Sequence, residues 1–325
     1  VSYVINNRQG VSDETRRRVQ KIIKKTGYKP NLSSRKLVLN KSFNIHIVIG
    51  SAFASFDNLF YNTAITRIAE LCMLKGYNLV LSNIAKDFNN SALKRSIDQK
   101  DVDGVIFLQN VIPNAAGILH QGGIPYVVLD THGLNTGCNS VYCDYCEAAY
   151  TATSYLLSKG HTRIGFLGMG TISEFYESSS NGYRKALLDA GITPSESWMR
   201  GDTDDESNIY ACAEALIDKK NKLTAILCAT DVIAITLMKR IMQLGVSIPK
   251  ELSVCGIDNV LIARYCTPAL TTIEIDKCKM GEEAINLLFD MMGGKVPLFG
   301  QNVCIHGKTV IERESVACIL EKHPD

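Results

Sequence analysis

No apolar stretch in these 325 residues approaches the roughly 18 uncharged residues that a bilayer-spanning helix needs, and the N-terminus lacks the charged-then-apolar order of a secretory signal. Both absences argue against membrane insertion and export, and a cytoplasmic location is expected. Proline is scarce, at 8, while 46% of the chain is hydrophobic, so it can bury a large core and is long enough for more than one domain. Cysteine is not scarce, at 11, but the number is odd and the residues are scattered, unlike the spacing of a disulfide framework. Reduced thiols are expected. The one local pair, Cys143 and Cys146, has a redox or metal spacing. No second pair and no nearby His accompanies it, so burial as small hydrophobes is the preferred reading, and neither a metal nor a cofactor is expected.

The net charge of +2 conceals an asymmetry. Residues 1–42 hold eleven Lys or Arg against Asp13 and Glu14, which makes that segment +9 and leaves the rest of the chain at −7. A basic arm on an acidic body points to a polyanion partner, because each cation placed at a phosphate releases condensed counterions. A charge run can equally be a solvated face, so charge alone does not decide.

Ser12 followed by Asp13 and Glu14 reads as a helix start, Val19, Ile22 and Ile23 give one apolar stripe, and Gly27 and Pro30 stop it. Val1, Val4 and Ile5 have helical spacing just before. Residues 31–42 are polar and basic and read as a linker able to become a short helix. After Asn44 the rhythm changes to apolar runs suited to buried parallel strands, at 45–49, 79–81, 105–108 and 126–129, alternating with helical stretches near 58–75, 90–100 and 114–121. A second series has strands at 164–167, 225–229 and 253–257 and helices near 146–159, 180–190, 206–219 and 231–244. Two such series imply two doubly wound α/β lobes. A helix near 278–292 and strands at 303–305 and 309–312 are expected to cross between them.

The ordered segments Val1-Ser2-Tyr3-Val4-Ile5-Asn6-Asn7, Gly27-Tyr28-Lys29-Pro30-Asn31, Gly160-His161-Thr162-Arg163-Ile164-Gly165, Leu223-Thr224-Ala225-Ile226, Gly245-Val246-Ser247-Ile248-Pro249, Val254-Cys255-Gly256-Ile257-Asp258-Asn259 and Thr267-Pro268-Ala269-Leu270-Thr271-Thr272-Ile273 resemble the bacterial lactose/galactose-repressor (LacI/GalR) family up to about Val316. The resemblance implies a repressor made of a helix-turn-helix headpiece and a periplasmic-binding-protein type I-like body. Its expected divisions are 1–30 for a headpiece lacking its first helix, 31–43 for a hinge, 44–145 plus 275–302 for one lobe, and 146–274 plus 303–325 for the other. Operator DNA, a small-molecule effector such as a sugar, and a second copy of the chain are the implied partners. Ser2 and Tyr3 would face bases or phosphates, Arg8, Arg35 and Lys36 the DNA backbone, and Leu37 would wedge between central base steps, unless it is an ordinary linker leucine. A recognition helix without a bracing first helix is expected to bind its operator poorly.

The resemblance also places an effector between the lobes. Asp258 and Asp130 end strands there, Thr230 and Asp231 end a third, and Phe60 and Tyr61 offer a stacking face. Asp231 can instead be a helix cap, and the two aromatics can instead be core. Two positions depart from the family pattern. Ser179 stands where a pocket arginine is usual, three residues before Gly182-Tyr183, and Thr203 stands where an aromatic is common. Without the cation a neutral effector is favoured over an acidic one. The rival readings are weaker. Gly168-Met169-Gly170 lacks the third glycine of a dinucleotide fingerprint, His161 has no nucleophile beside it, and no enzyme is expected. A sugar-capture protein without a DNA role leaves the basic arm and the missing export signal unexplained.

Overall fold

The computed structural model describes residues 2–5, 9–27, 39–49, 58–83, 91–109, 115–131, 138–201, 203, 205–298 and 300–319. Arg8, Arg35, Lys36 and Leu37 lie outside them. Helix α1 (Ser2–Ile5) precedes α2 (Asp13–Thr26), which starts where Ser12 accepts a hydrogen bond from the Thr15 N–H and stops at Gly27, whose φ of +63° suits a residue without a Cβ. Tyr3 is exposed and Val4 is buried.

The body is built on two six-stranded sheets. The first contains β1 (Asn44–Ile49), β2 (Asn78–Asn83), β3 (Gly104–Leu108), β4 (Tyr126–Leu129), β5 (Asn139–Cys143) and β11 (Asn302–Ile305), in the order β11-β5-β4-β3-β1-β2. The second contains β6 (Ile164–Leu167), β7 (Met199–Arg200), β8 (Ala225–Cys228), β9 (Ser253–Asp258), β10 (Thr271–Glu274) and β12 (Thr309–Ile311), in the order β12-β10-β9-β8-β6-β7. Every pairing is parallel except that of β10 with β12. Parallel strands covered on both faces need unbroken apolar runs, and β1, β3, β4, β6, β8 and β9 are buried along their whole length.

Helices α3 (Leu59–Leu74), α4 (Ala92–Asp98), α5 (Ala115–Gln121) and α10 (Lys277–Met292) serve the first sheet, and α6 (Tyr145–Ser158), α7 (Ser173–Asp189), α8 (Glu206–Leu216) and α9 (Asp231–Gln243) the second. The chain therefore changes sheet three times: after β5, after β10 and after β11. One expected boundary needs correction. Strand β11 pairs with β5 in register Val303↔Val141 and Cys304↔Tyr142, so residues 303–305 belong with the first sheet rather than the second. Helix α7 also begins at Ser173, seven residues before the expected start, because its first turns are polar apart from Phe175 and Tyr176.

His161 has the structural role expected for it. It is buried, with Nδ1 3.0 Å from Thr224 Oγ1 and Nε2 3.1 Å from the carbonyl oxygen of Ala317. The glycines at 168 and 170 are likewise explained by packing: a Cβ on Gly168 would meet the Tyr176 ring at 2.6 Å, and one on Gly170 would meet the Gly201 carbonyl oxygen at 2.9 Å. Helices α6 and α7 approach most closely at Gly182, where a Cβ would overlap the carbonyl of Cys146. Backbone cannot yield as a flexible side chain can. Gly182→Ala is expected to destabilise the fold by about 1–3 kcal/mol or more, measured as a lowered midpoint in urea with an unchanged m-value.

Candidate functional site

In parallel α/β sheets the carboxyl ends of the strands, with the helix N-termini that follow, form the natural binding edge. Here those edges of both sheets supply the same cluster of polar side chains. Asp130 directly follows β4, and Asp258 ends β9. Both have left-handed backbones, φ +64° and +120°, a conformation that costs a non-glycine residue on the order of 1–3 kcal/mol and gathers at functional positions. Phe60 and Tyr61 sit in the first turn of α3, where Asn58 caps the helix by accepting from the Phe60 N–H at 2.9 Å. Tyr145 begins α6.

The Asp130 carboxylate holds these parts together. Tyr61 donates its hydroxyl to Oδ2 at 2.7 Å and Tyr145 donates to Oδ1 at 2.9 Å. The Tyr145 ring meets Phe175 of α7 edge-on with centroids 4.6 Å apart, so the contact runs from the first sheet to the helices of the second. All three partners are almost inaccessible: Tyr61 is 1% exposed, Asp130 2% and Tyr145 4%. Burial, and then the Asp130 charge, push both tyrosine hydroxyls well above their ordinary pKa, so both remain donors. Phe60 and Tyr61, expected either as a stacking face or as core, pack on each other. Both are buried, with their rings edge-on at 5.2 Å.

On the second sheet the capping role considered for Asp231 belongs to Thr230, whose hydroxyl accepts from the Ile233 N–H at 3.3 Å. Asp231 is fully buried instead, and its carboxyl accepts from the Val260 N–H at 2.8 Å and from the Thr272 hydroxyl. It occupies space that a Cβ on Gly256 would fill. Burial raises its pKa from 3.8 to about 7, against the hydrogen bonds from Thr272 and Val260 and the charges of Lys277 and Arg313. Burial and then the neighbouring Asp231 also hold the Asp258 carboxyl well above the usual carboxylate range, opposed by Lys277.

Lys277 was not foreseen. It is 5% exposed at the start of α10, with Nζ donating to the carbonyl oxygens of Asp258 and Ile275 and lying 5.8 Å from the Phe60 ring centre. A signal was available: Lys277, Met280, Gly281, Ala284, Ile285 and Leu288 form the buried stripe of α10 at helical spacing. Ser179 and Thr203 have committed their hydroxyls elsewhere. Ser179 donates to the Phe175 carbonyl one turn back at 2.7 Å, and Thr203 donates to the Gly168 carbonyl at 3.0 Å. The structure thus brings Phe60, Tyr61, Asp130 and Asp258 together with Tyr145 and Lys277. Ser2 and Tyr3 lie apart on α1.

Two parallel-sheet lobes with polar groups gathered at their facing strand ends, preceded by a basic helical segment, define a two-lobed binding body attached to a DNA-binding headpiece. Residues 1–31 match the family described as "Bacterial regulatory proteins, lacI family", and residues 153–316 match the "Periplasmic binding protein-like domain". The "HTH-type transcriptional repressor PurR" of Erwinia tasmaniensis is 33% identical over 323 residues, covering 98% of this chain and 92% of that protein. The protein of that name from Vibrio cholerae is 28% identical over 299 residues, covering 91% and 88%. The chain belongs to the lacI family of bacterial regulatory proteins and is a DNA-binding transcriptional regulator. Solved structures agree in fold. The lac repressor dimer bound to operator and the anti-inducer ONPF has a TM-score of 0.77 at 21% identity, and the transcriptional regulator CelR–cellobiose complex has 0.74 at 24%; each pairing covers 97% of this chain and 94% of the other.

The pair Asp231 and Asp258 makes stability depend on pH. In the native chain Asp231 keeps a proton up to about pH 7, whereas an unfolded carboxyl has released it by about pH 5. Its contribution therefore favours the native state at acid pH and is lost as pH rises from about 4 to 7. We expect the stability of the unaltered chain, taken relative to Asp231→Asn, to fall across that window in urea unfolding. A flat difference would mean that the carboxyl titrates normally.

Proposed function

We propose that a small neutral, hydroxyl-rich molecule binds among Phe60, Tyr61, Asp130, Asp258 and Lys277, and that its binding alters the affinity of the headpieces for operator DNA. The observation that carries this reading is the convergence of two strained, buried aspartates at the carboxyl ends of strands from opposite sheets. Carboxyl groups accept from paired hydroxyls, and one that retains its proton also donates. Lys277, the cation of this cluster, is already engaged with two carbonyls, and Ser179 stands where the family's pocket arginine would be. An anionic ligand therefore gains little here. Thr230, Asp231, Ser179 and Thr203 act in this reading by shaping the walls. They do not touch the ligand.

The protein works as a repressor and as a homodimer in the cytoplasm, and its site binds without catalysis. The relatives named as repressors support the first point, and the solved lac repressor dimer shares the fold that the second requires. Ser2, Tyr3 and Arg8 of the headpiece, and Arg35, Lys36 and Leu37 of the hinge, supply the DNA contacts. Among the described residues no helix is long and apolar enough to cross a membrane.

A thermal-shift screen of monosaccharides, disaccharides, polyols and nucleosides tests the ligand class, because a molecule that binds only the native state raises its melting temperature. Asp258→Asn is expected to weaken the molecule found by about ten- to a hundredfold while leaving operator affinity unchanged. Calorimetry and fluorescence anisotropy on a palindromic duplex read the two effects separately. Tight binding of anions with no response to neutral polyols would overturn the ligand assignment.

Operator binding is expected to weaken steeply with salt, its logarithm falling by about 0.9 per phosphate contact for each unit of log salt concentration. Leu37→Ala should reduce affinity for the palindrome more than for random duplex. Equal losses on the two would remove Leu37 from its role as a wedge.

A further inference from the structure

Strands β5 and β11 leave the first sheet side by side, and both continue toward the second. Tyr142 pairs with Cys304 and Cys143 with Ile305, and the Asp144 N–H donates to the Ile305 carbonyl at 3.2 Å. One ligand atom each of Asp144, Cys304 and His306 lie within 4.8 Å of one another. We propose that these three side chains form a binding site for a borderline-soft divalent cation of the zinc type, which fastens two of the three crossovers together.

The donor set selects the cation class. Thiolate and imidazole exclude hard ions such as Mg2+ and Ca2+ as the preferred occupants, and one added carboxylate is common at zinc. A water completes a tetrahedron. Zinc with ordinary bond lengths separates its donors by roughly 3.3–3.8 Å, so the cluster must contract by at most about 1–1.5 Å. The side chain of His306 is 56% exposed, so its Glu147 contact rather than enclosure by packing restrains the ring.

The surroundings favour the same assignment. Asp144 caps α6 by accepting from the Glu147 N–H through Oδ1 at 2.9 Å, which fixes its carboxylate beside the strand ends. Glu147 lies 2.6 Å from His306 Nδ1 and is itself gripped by Lys308 Nζ at 2.9 Å. A carboxylate on one nitrogen of a histidine is the arrangement that orients metal-bound imidazoles, and it leaves one ring nitrogen for the ion. On binding, the Cys304 S–H bond breaks, the sulfur keeps the electron pair that forms the metal bond, and the proton passes to solvent.

The adjacent Cys143-x-x-Cys146 spacing is not this site. Neither thiol belongs to the group of converging ligand atoms, although the Asp144 charge reaches both: Cys143 is buried and Cys146 half-buried beside it. The donor lies between the two cysteines, at Asp144, and its partners come from a strand about 160 residues later.

The test uses the whole chain with the exposed Cys278 and Cys318 replaced by serine. Titration with Co2+ should saturate at one ion per chain with a thiolate-to-cobalt charge-transfer band and intense tetrahedral visible absorption, both bleached by Zn2+. Cys304→Ser should abolish the charge-transfer band. His306→Gln, and Asp144→Asn, which keeps the oxygen that caps α6, should each weaken binding about tenfold or more, with circular dichroism confirming the fold. The absence of a charge-transfer band, a band that survives Cys304→Ser, or affinities unaltered by both His306→Gln and Asp144→Asn would overturn the proposal and leave His306, Glu147 and Lys308 as a surface ion-pair network.

Discussion

The buried carboxylate of Asp130 is the constraint around which the two lobes are arranged. A carboxyl group this far from water must be met by hydrogen-bond partners, and two hydroxyls reach it on helices serving different sheets: Tyr61 on α3 and Tyr145 on α6. A tyrosine that withdraws costs this buried acid one of its donors. A ligand entering the cleft must therefore replace one of these hydroxyls at Asp130 or leave the clamp intact.

The second sheet solves the same electrostatic problem differently. Asp231 and Asp258 are too close and too buried for both to be charged at neutral pH, and one buried lysine, Lys277, serves them from the crossover after β10. The body thus places an acid bonded to two tyrosine hydroxyls on one side of its cleft and acids whose pKa burial raises on the other. Hydroxyl groups, which both donate and accept, are matched to such a surface.

Much of this was readable in the chain. The apolar runs of β1, β3, β4, β6, β8 and β9 mark strands covered on both faces, and the aspartates closing β4 and β9 stand out because they interrupt those runs. What escaped did so for physical reasons. Strand β5 begins with Asn139 and Ser140, whose side chains bond to residues 298–302 rather than to local neighbours, so nothing nearby marks them as strand. Strand β10 opens with two threonines that are buried only because Asp231 and Ser315 come to them from distant segments. Lys277 and Tyr145 sit at the first residue of a helix, where a charged or amphipathic side chain ordinarily faces water. Only the closing of the two sheets on each other turns those positions inward. Ser179 and Thr203 show the converse: the resemblance led both to be expected at the site, yet each has already given its hydroxyl to the backbone.

The three passages of the chain between the sheets also limit how such a protein can be cut or recombined. Neither lobe is a contiguous length of polypeptide, since β11 returns to the first sheet after β10 has been laid in the second. A protease that severs one connection leaves two fragments held by strand pairing and packing alone, because at least one sheet then draws its strands from both. An exchange of one lobe between relatives requires breakpoints at all three passages, so the two halves of the cleft are inherited as a unit while the headpiece, joined at a single point, is open to transfer.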